Sequence, residues 1–386
     1  MLEQAKAADF QEQKILFYSS STAEIVTDIW NFLSLETIRT IIPQHHESNA
    51  VQGLLNRGQW KSVIPAFCPI YPGMVFNQET NTFYDPCFIP GRKKNDLTDL
   101  VSIVEKYFKH IGNKKIGVQL SGGLDSSIII GFLRHLRIPF AMVGMNSRRY
   151  EFRTESYVQE LLASGNEEVI FIDYEENLPF SGLSKVPPHQ YPDLSSNNYS
   201  ADRTMARKCN ELGIEVLLSG FGGDVVLAGA VPIKSSECSW KPQLFMDAWI
   251  TEMAYRQHNV ELLPFYANGE IMDAIFNLRR GLEEDLQKRW ARDFFRDFLP
   301  NELVNFTYFA DFWGLYIDGL LNSLPEFQRM HKEVFNITGL EYFSDWNLNS
   351  LLKTDFTNCV KMLYQPIEAR ISLTTWIHSL YHSNLL

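Results

Sequence analysis

The feature that most constrains this chain is a change of pattern between Ile116 and Leu136. Ile116-Gly117-Val118-Gln119-Leu120 is a short apolar run with strand character. Ser121-Gly122-Gly123-Leu124-Asp125-Ser126-Ser127 follows at once, and Ile128 to Leu136 then reads as helix. A strand that ends in glycines and restarts as a helix is the first part of a strand–helix–strand unit. The alternation continues. Phe140 to Met145 reads as a second strand, Thr154 to Ala163 as a helix and Val169 to Ile172 as a third strand. Asp202 to Leu212 is an amphipathic helix stopped by Gly213, and Ile214 to Leu218 is a fourth strand. Such alternation predicts an α/β fold, a parallel sheet with helices on both faces. Asp96 reads as the N-cap of a helix running to about His110. From about Trp240 onward the chain reads as mostly helical.

The first 95 residues look different. Lys14 to Tyr18 reads as a strand, Glu24 to Leu35 as a helix, and Met74-Val75-Phe76 with Thr82-Phe83-Tyr84 as a hairpin. Pro90-Gly91-Arg92-Lys93-Lys94-Asn95 is polar and turn-rich, which places a domain boundary there: residues 1–95 and 96–386. A length of 386 residues suits roughly two domains.

Composition excludes several classes. Hydrophobic residues at 45% and charged residues at 21% describe an ordered globular protein. The formal charge of −11 argues against a nucleic-acid partner, since an acidic chain repels phosphate backbones. The cysteines Cys68, Cys87, Cys209, Cys238 and Cys359 are scattered and form no CxxC pair, so free thiols in a reducing cytoplasm are expected. No signal peptide and no membrane span is expected. The aromatic residues crowding the last third suit helix packing, or an exposed surface for a partner.

The loop has a chemical logic. Its glycines allow close backbone approach and positive φ, and N–H groups at a helix start attract anions. Ser121, Ser126 and Ser127 add hydroxyls; Asp125 fits only if a cation accompanies the anion. The string resembles the PP-loop of the ATP pyrophosphatase superfamily, and the GK[ST] of Walker-type loops is missing. A second string, Leu218-Ser219-Gly220-Phe221-Gly222-Gly223-Asp224, narrows the resemblance to the asparagine synthetase group. Leu263-Pro264-Phe265 resembles that group's "PF" element, and Phe298-Leu299-Pro300-Asn301-Glu302-Leu303 its "LPxE" element.

The resemblance implies an adenine nucleotide alpha hydrolase-like synthetase domain with a helical C-terminal half. It implies ATP held by Val118, Leu120, Ser121, Gly122, Gly123, Asp125, Ser126, Ser127, Met145, Ser219, Gly220, Gly222 and Gly223. Mg²⁺ would lie between Asp125 and Asp224, and the adenine near Gly144-Met145-Asn146. Tyr71 to Met74 and Thr82 to Asp85 resemble the closing strands of a glutaminase-like α+β domain. That domain is expected to be truncated and without glutaminase activity, because residue 2 is Leu2 where the group has its nucleophilic cysteine.

The chain departs from the pattern twice. No lysine follows "LPxE", where Asn305 to Phe312 stand; Lys288, Arg289 and Arg292 are the candidate replacements. Phe221 stands where relatives carry a polar, proton-moving residue, leaving Glu155 and His189 as candidates. The expected catalytic set is therefore Asp125, Asp224, Glu155 and Lys288.

The implied reaction is ATP-dependent amide formation through an acyl-adenylate. Phe309-Ala310-Asp311-Phe312-Trp313-Gly314-Leu315-Tyr316 resembles lasso peptide cyclases, which points to macrolactam closure of a precursor peptide. A leader-peptide protease and a leader-binding protein are then implied partners. A small-molecule or β-lactam synthetase is the alternative, and a degenerate nucleotide- or peptide-binding scaffold is a third.

Overall fold

A computed structural model describes residues 16–19, 24–26, 30, 34–41, 67–70, 75–77, 82–84, 96–146, 153–189, 192–228, 249–279, 282, 285, 287–305, 313–340 and 356–386. In the first region, β1 (Leu16–Ser19) pairs antiparallel with β2 (Glu24–Val26) and β3 (Phe67–Ile70). β4 (Val75–Asn77) and β5 (Thr82–Tyr84) form the expected hairpin, Val75 opposite Tyr84. The helix expected at Glu24 to Leu35 begins instead as strand β2, and helix occupies Leu35–Ile41. The reason is the partner strand: Phe17 pairs with Val26, Tyr18 with Ile25 and Ser19 with Glu24, and the β-branched Ile25 and Val26 suit that pleat.

The second sheet has five strands: β6 (Ile116–Gln119), β7 (Phe140–Asn146), β8 (Glu168–Asp173), β9 (Val216–Ser219) and β10 (Glu261–Pro264). All four pairings are parallel, and the order is β10-β9-β6-β7-β8. β10 is an addition to the expected four strands. Its four residues, Glu-Leu-Leu-Pro, are too few to show a period, and they pair with β9 from Glu261↔Val216 to Pro264↔Ser219.

Successive strand residues enter opposite cores. Val118, Met142, Val216 and Leu218 join the apolar cluster on one face. Ala141, Val143 and Leu217 join the cluster on the other. A strand buried on both sides reads as a continuous apolar run, which is why these segments show no alternation in sequence.

The Leu97–Ile111 helix covers the first face through Leu100, Val104, Phe108 and Ile111, a stripe at helical spacing. Its start is a capping box: Asp99 N–H donates to Asp96 Oδ1 at 2.9 Å, and Asp96 N–H to Asp99 Oδ2 at 3.2 Å. Phe132, Phe265, Phe295 and Phe298 pack within the same layer, with centroids of Phe132 and Phe298 5.0 Å apart. These aromatic residues are therefore core.

Two long helices, Trp313–Thr338 and Phe356–His382, meet through Leu320, Phe327, Met330, Ile367 and Ile371. Arg39 closes the end of the first, its Nε donating to Thr338 O at 2.8 Å and its Nη2 to Ile337 O at 3.1 Å. Among the described residues, no helix is long and apolar enough to cross a membrane.

Asp202, on the Tyr199–Glu211 helix, accepts a hydrogen bond from Thr251 Oγ1 at 2.6 Å, and burial pushes its pKa up to about 7. The folded state therefore holds a proton that the unfolded state releases at ordinary carboxyl pH. This contribution to stability is present in acid and is lost as pH rises towards 7. Asp202→Asn removes the dependence. Its melting temperature, measured against wild type, should gain most at pH 8 and least at pH 5; parallel pH profiles would refute this account.

Candidate active site

The chain runs from β6 outward through β7 and β8, then crosses back to β9 and β10 on the other side of β6. The switch point lies between β6 and β9, and in such sheets the crevice beyond the adjacent strand ends binds ligands. Both glycine-rich strings leave the sheet there.

Ser121 to Gly123 turns β6 into the Leu124–His135 helix, with Gly123 as N-cap. Gly122 has φ +78°, a conformation few side chains adopt. Ser121 Oγ meets Ser126 Oγ at 2.7 Å and accepts from Gly123 N–H at 3.2 Å. Ser127 Oγ donates to Gly123 O at 2.7 Å. The hydroxyls thus brace the turn, leaving the first-turn N–H groups as the anion-facing donors.

The second loop is tied to the first. Ser219 Oγ donates to Gln119 Oε1 at 2.9 Å and accepts from Phe221 N–H at 3.1 Å. Gly222 has φ +84°. A Cβ on Gly223 would lie 2.4 Å from Asp125 Cγ, and one on Gly220 would lie 3.1 Å from Ser126 N. Only glycine lets the loops approach this closely. The chain then forms a π-helical turn, Asp224–Ala228. Trp290 Nε1 donates to Leu227 O at 2.6 Å, and Asp285 N–H to Ala228 O at 3.0 Å.

Lys288 closes the site. Its Nζ lies 2.7 Å and 2.8 Å from the two oxygens of Asp125, and 2.6 Å from Asp224 Oδ1. The Lys288 side chain is 7% exposed, that of Asp125 17% and that of Asp224 88%. Lys288 adopts a left-handed backbone, φ 53° and ψ 37°, just before the Arg289–Phe294 helix. Burial pushes Asp125 up to about 6 against the opposing pull of Lys288. Burial also opposes the charge on Lys288, but the two carboxylates outweigh it and its pKa is raised.

The other two candidate cations make their hydrogen bonds elsewhere, although the Arg292 charge also helps to hold the Asp125 carboxyl down. Arg289 is an exposed partner of Asp285 at 3.3 Å. Arg292 bonds the backbone carbonyls of Leu303 and Gln287, anchoring the "LPxE" turn. His189 is fully buried, with Nδ1 2.9 Å from Pro187 O and its carbonyl accepting from Trp376 Nε1 at 2.8 Å. Burial lowers its pKa to about 4, and its side chain lies in the core. The backbone of Glu155 lies in the Arg153–Ala163 helix, and its side chain is outside the described residues. Residues 306–312, where the family's lysine is missing, also lie outside them. Val118 and Leu120 are 0% exposed and Met145 is 9% exposed, so their side chains belong to the core.

Sequence reasoning missed Gln159 and Tyr266. Gln159 Nε2 donates to Leu120 O at 2.9 Å and Met145 O at 3.0 Å, clamping the ends of β6 and β7. Tyr266 OH donates to Asp125 O at 2.9 Å from full burial. The available signals were a glutamine beside Val158 and Leu162 on an apolar helix face, and a tyrosine directly after the "PF" element. A cavity of about 260 Å³ lined by Lys185, Arg203, Arg207 and His258 shares no residue with this site.

The family model for asparagine synthase matches residues 109–302, a span holding both glycine loops, Lys288 and the "LPxE" turn. The chain belongs to the asparagine synthase family. No curated protein matches it. Among solved structures, NMN synthetase from Francisella tularensis is similar over 63% of this chain and 94% of that one, at 14% identity and TM-score 0.31. Membership of the asparagine synthase family makes this an ATP-using, ligase-type synthetase domain.

Asp125 and Asp224 also fit a divalent ion. Both already turn their oxygens to one cation, the Lys288 ammonium, and carboxylate oxygens are the donors Mg²⁺ takes. The fit depends on the glycine contact. Gly223→Ala should displace Asp125 and weaken MgATP binding by at least about tenfold, the equivalent of about 1.4 kcal/mol. Equilibrium dialysis with labelled ATP checks this, and unchanged affinity would show that the loops do not act together.

Proposed function

We propose that this chain is an AMP-forming carbon–nitrogen ligase that activates a substrate carboxylate and closes an amide with an amine of the same substrate. The observation that carries the reading is the convergence of Asp125, Asp224 and Lys288 within 2.6–2.8 Å at the meeting of two glycine loops. ATP lies with its phosphates on the N–H groups of the Ser121–Ser127 turn. Asp125 and Asp224 would hold Mg²⁺, which when bound offsets phosphate charge.

The carboxylate oxygen attacks the α-phosphorus, the bond to pyrophosphate breaks, and Lys288 stabilises the charge that builds there. Lys288 thus fills the role of the lysine that the family carries after "LPxE". The amine then attacks the acyl carbon, AMP leaves, and the amine proton is released. The protein's work is positioning and charge stabilisation. An external ammonia source is not part of the proposal. Cys209, on the Tyr199–Glu211 helix, is buried and its thiol is pushed up to about 12, too high for a nucleophile.

The proposed substrate is a ribosomal precursor peptide closed to a lasso-type macrolactam. Support is the likeness of Phe309 to Tyr316 to lasso cyclases, a stretch whose first four residues lie outside the described ones. A leader-peptide protease and leader-binding protein are proposed partners. The test is ATP–pyrophosphate exchange with Mg²⁺ and a panel holding precursor peptides and small β-amino acids. Exchange should require one peptide and vanish in Asp125→Ala; exchange with a β-amino acid alone would replace the peptide reading. A chain that binds ATP yet exchanges with no panel member would favour the scaffold reading.

Two further outcomes follow. Lys288→Met should lower exchange by about 10²–10³-fold, the effect of losing one transition-state donor; a wild-type rate would remove Lys288 from the mechanism. MgATP affinity should fall as pH drops through about 6, where Asp125 takes up its proton, because a protonated carboxyl is a poor metal ligand. An affinity flat from pH 8 to pH 5 would contradict that assignment.

A further inference from the structure

We propose a second metal site, built by Glu333, His378 and His382, that takes one Zn²⁺ ion or a similar borderline transition metal and ties the two long C-terminal helices together. His378 and His382 stand four residues apart on the Phe356–His382 helix and so share a face. Glu333 comes from the Trp313–Thr338 helix. His382 Nε2 lies 2.8 Å from Glu333 Oε1, and His378 Nε2 lies 3.5 Å from Glu333 Oε2. One ligand atom from each residue falls in a group spanning at most 4.8 Å.

Metal–ligand bonds of about 2.0–2.1 Å in a tetrahedron require ligand atoms about 3.4 Å apart, close to these separations. Paired imidazoles at this helical spacing with one carboxylate form a donor set that suits Zn²⁺ and does not suit Mg²⁺. Their exposure is graded. The His378 side chain is 9% exposed, that of Glu333 36% and that of His382 50%, so an ion enters from the His382 side and water can fill the fourth position. Arg329 is the nearby charge that opposes a cation, and it is exposed to solvent.

This site shares no residue with the Asp125–Asp224 pair. The bound ion would cross-link helices that also meet along the apolar seam at Phe327, Met330 and Ile371. Its role is structural.

The experiment is Zn²⁺ titration of the tag-free, EDTA-stripped full chain by calorimetry, with thermal melts in parallel. Wild type should take up one equivalent and gain several degrees in melting temperature. His382→Ala, at an exposed position that leaves the core intact, should weaken uptake by at least about tenfold and abolish the thermal gain. Glu333→Gln should do the same, while Asp125→Ala should bind Zn²⁺ as wild type does. No uptake by wild type would overturn the proposal. So would uptake that survives His382→Ala, or that is lost in Asp125→Ala.

Discussion

Two carboxylates carried on separate loops repel each other unless a cation lies between them, and the architecture around the switch point follows from that constraint. Asp125 is committed to its place by the helix whose first turn it occupies, and Asp224 by the π-helical turn that it opens. Lys288 supplies the charge that lets both stay at hydrogen-bond distance of one point. It reaches there from a left-handed backbone position, a conformation that a lysine holds only when its surroundings fix it. Those surroundings are visible. Lys288 N–H donates to Asp285 O at 2.8 Å, and Asp285 N–H is bonded to Ala228 O at the end of the turn that carries Asp224. The lysine and one of its carboxylate partners are therefore held by one short chain of backbone bonds.

The second layer holds the loops rather than the ligand. Gln159 joins the ends of β6 and β7, Ser219 joins the roots of the two glycine loops, and Tyr266 holds the Asp125 carbonyl from β10's side. Each is a buried polar group with its partner in place, so losing one leaves a carbonyl or hydroxyl unpaired inside the protein. Glycine does the complementary work of omission. Gly144 has the Leu120 carbonyl 2.7 Å from where a Cβ would stand, and Gly131 has the Phe298 carbonyl at 2.4 Å. The first glycine loop and its helix are thus pressed against the sheet on one side and the "LPxE" region on the other.

How far this was legible in the sequence depends on the range of the interaction. The Ser121–Ser127 turn, its strand and its helix are local, and glycine spacing with an apolar run announces them. The capping box at Asp96 and Asp99 is local too. β10 escapes notice because four residues ending in proline carry no period. Strand β2 passes for helix because a three-residue strand gains its identity from pairing with β1, and helical spacing across Glu24 to Leu35 says nothing of that partner. Lys288, Arg289 and Arg292 are three basic candidates within little more than one turn. Which of them faces Asp125 is decided by a backbone angle, and composition has nothing to say about φ.

The same distinction bears on the missing lysine after "LPxE". A hydrogen bond must come from a fixed direction, so a displaced donor cannot replace it. A charge acts through space in all directions, and in a partly buried site it is effective from any point within a few ångströms. The cationic role can therefore move along the chain, provided that the new position is desolvated and aimed. Lys288, 7% exposed and in contact with two carboxylates, is the position proposed for it. Proton transfer is different. It needs a titratable group at the substrate, and Phe221 offers none. In the proposed reaction the attacking amine would pass its proton to Glu155, the base expected from the sequence, or to water or a phosphate oxygen. On the proposed mechanism Phe221 would bear on the second step, amide formation, and not on the first, adenylation.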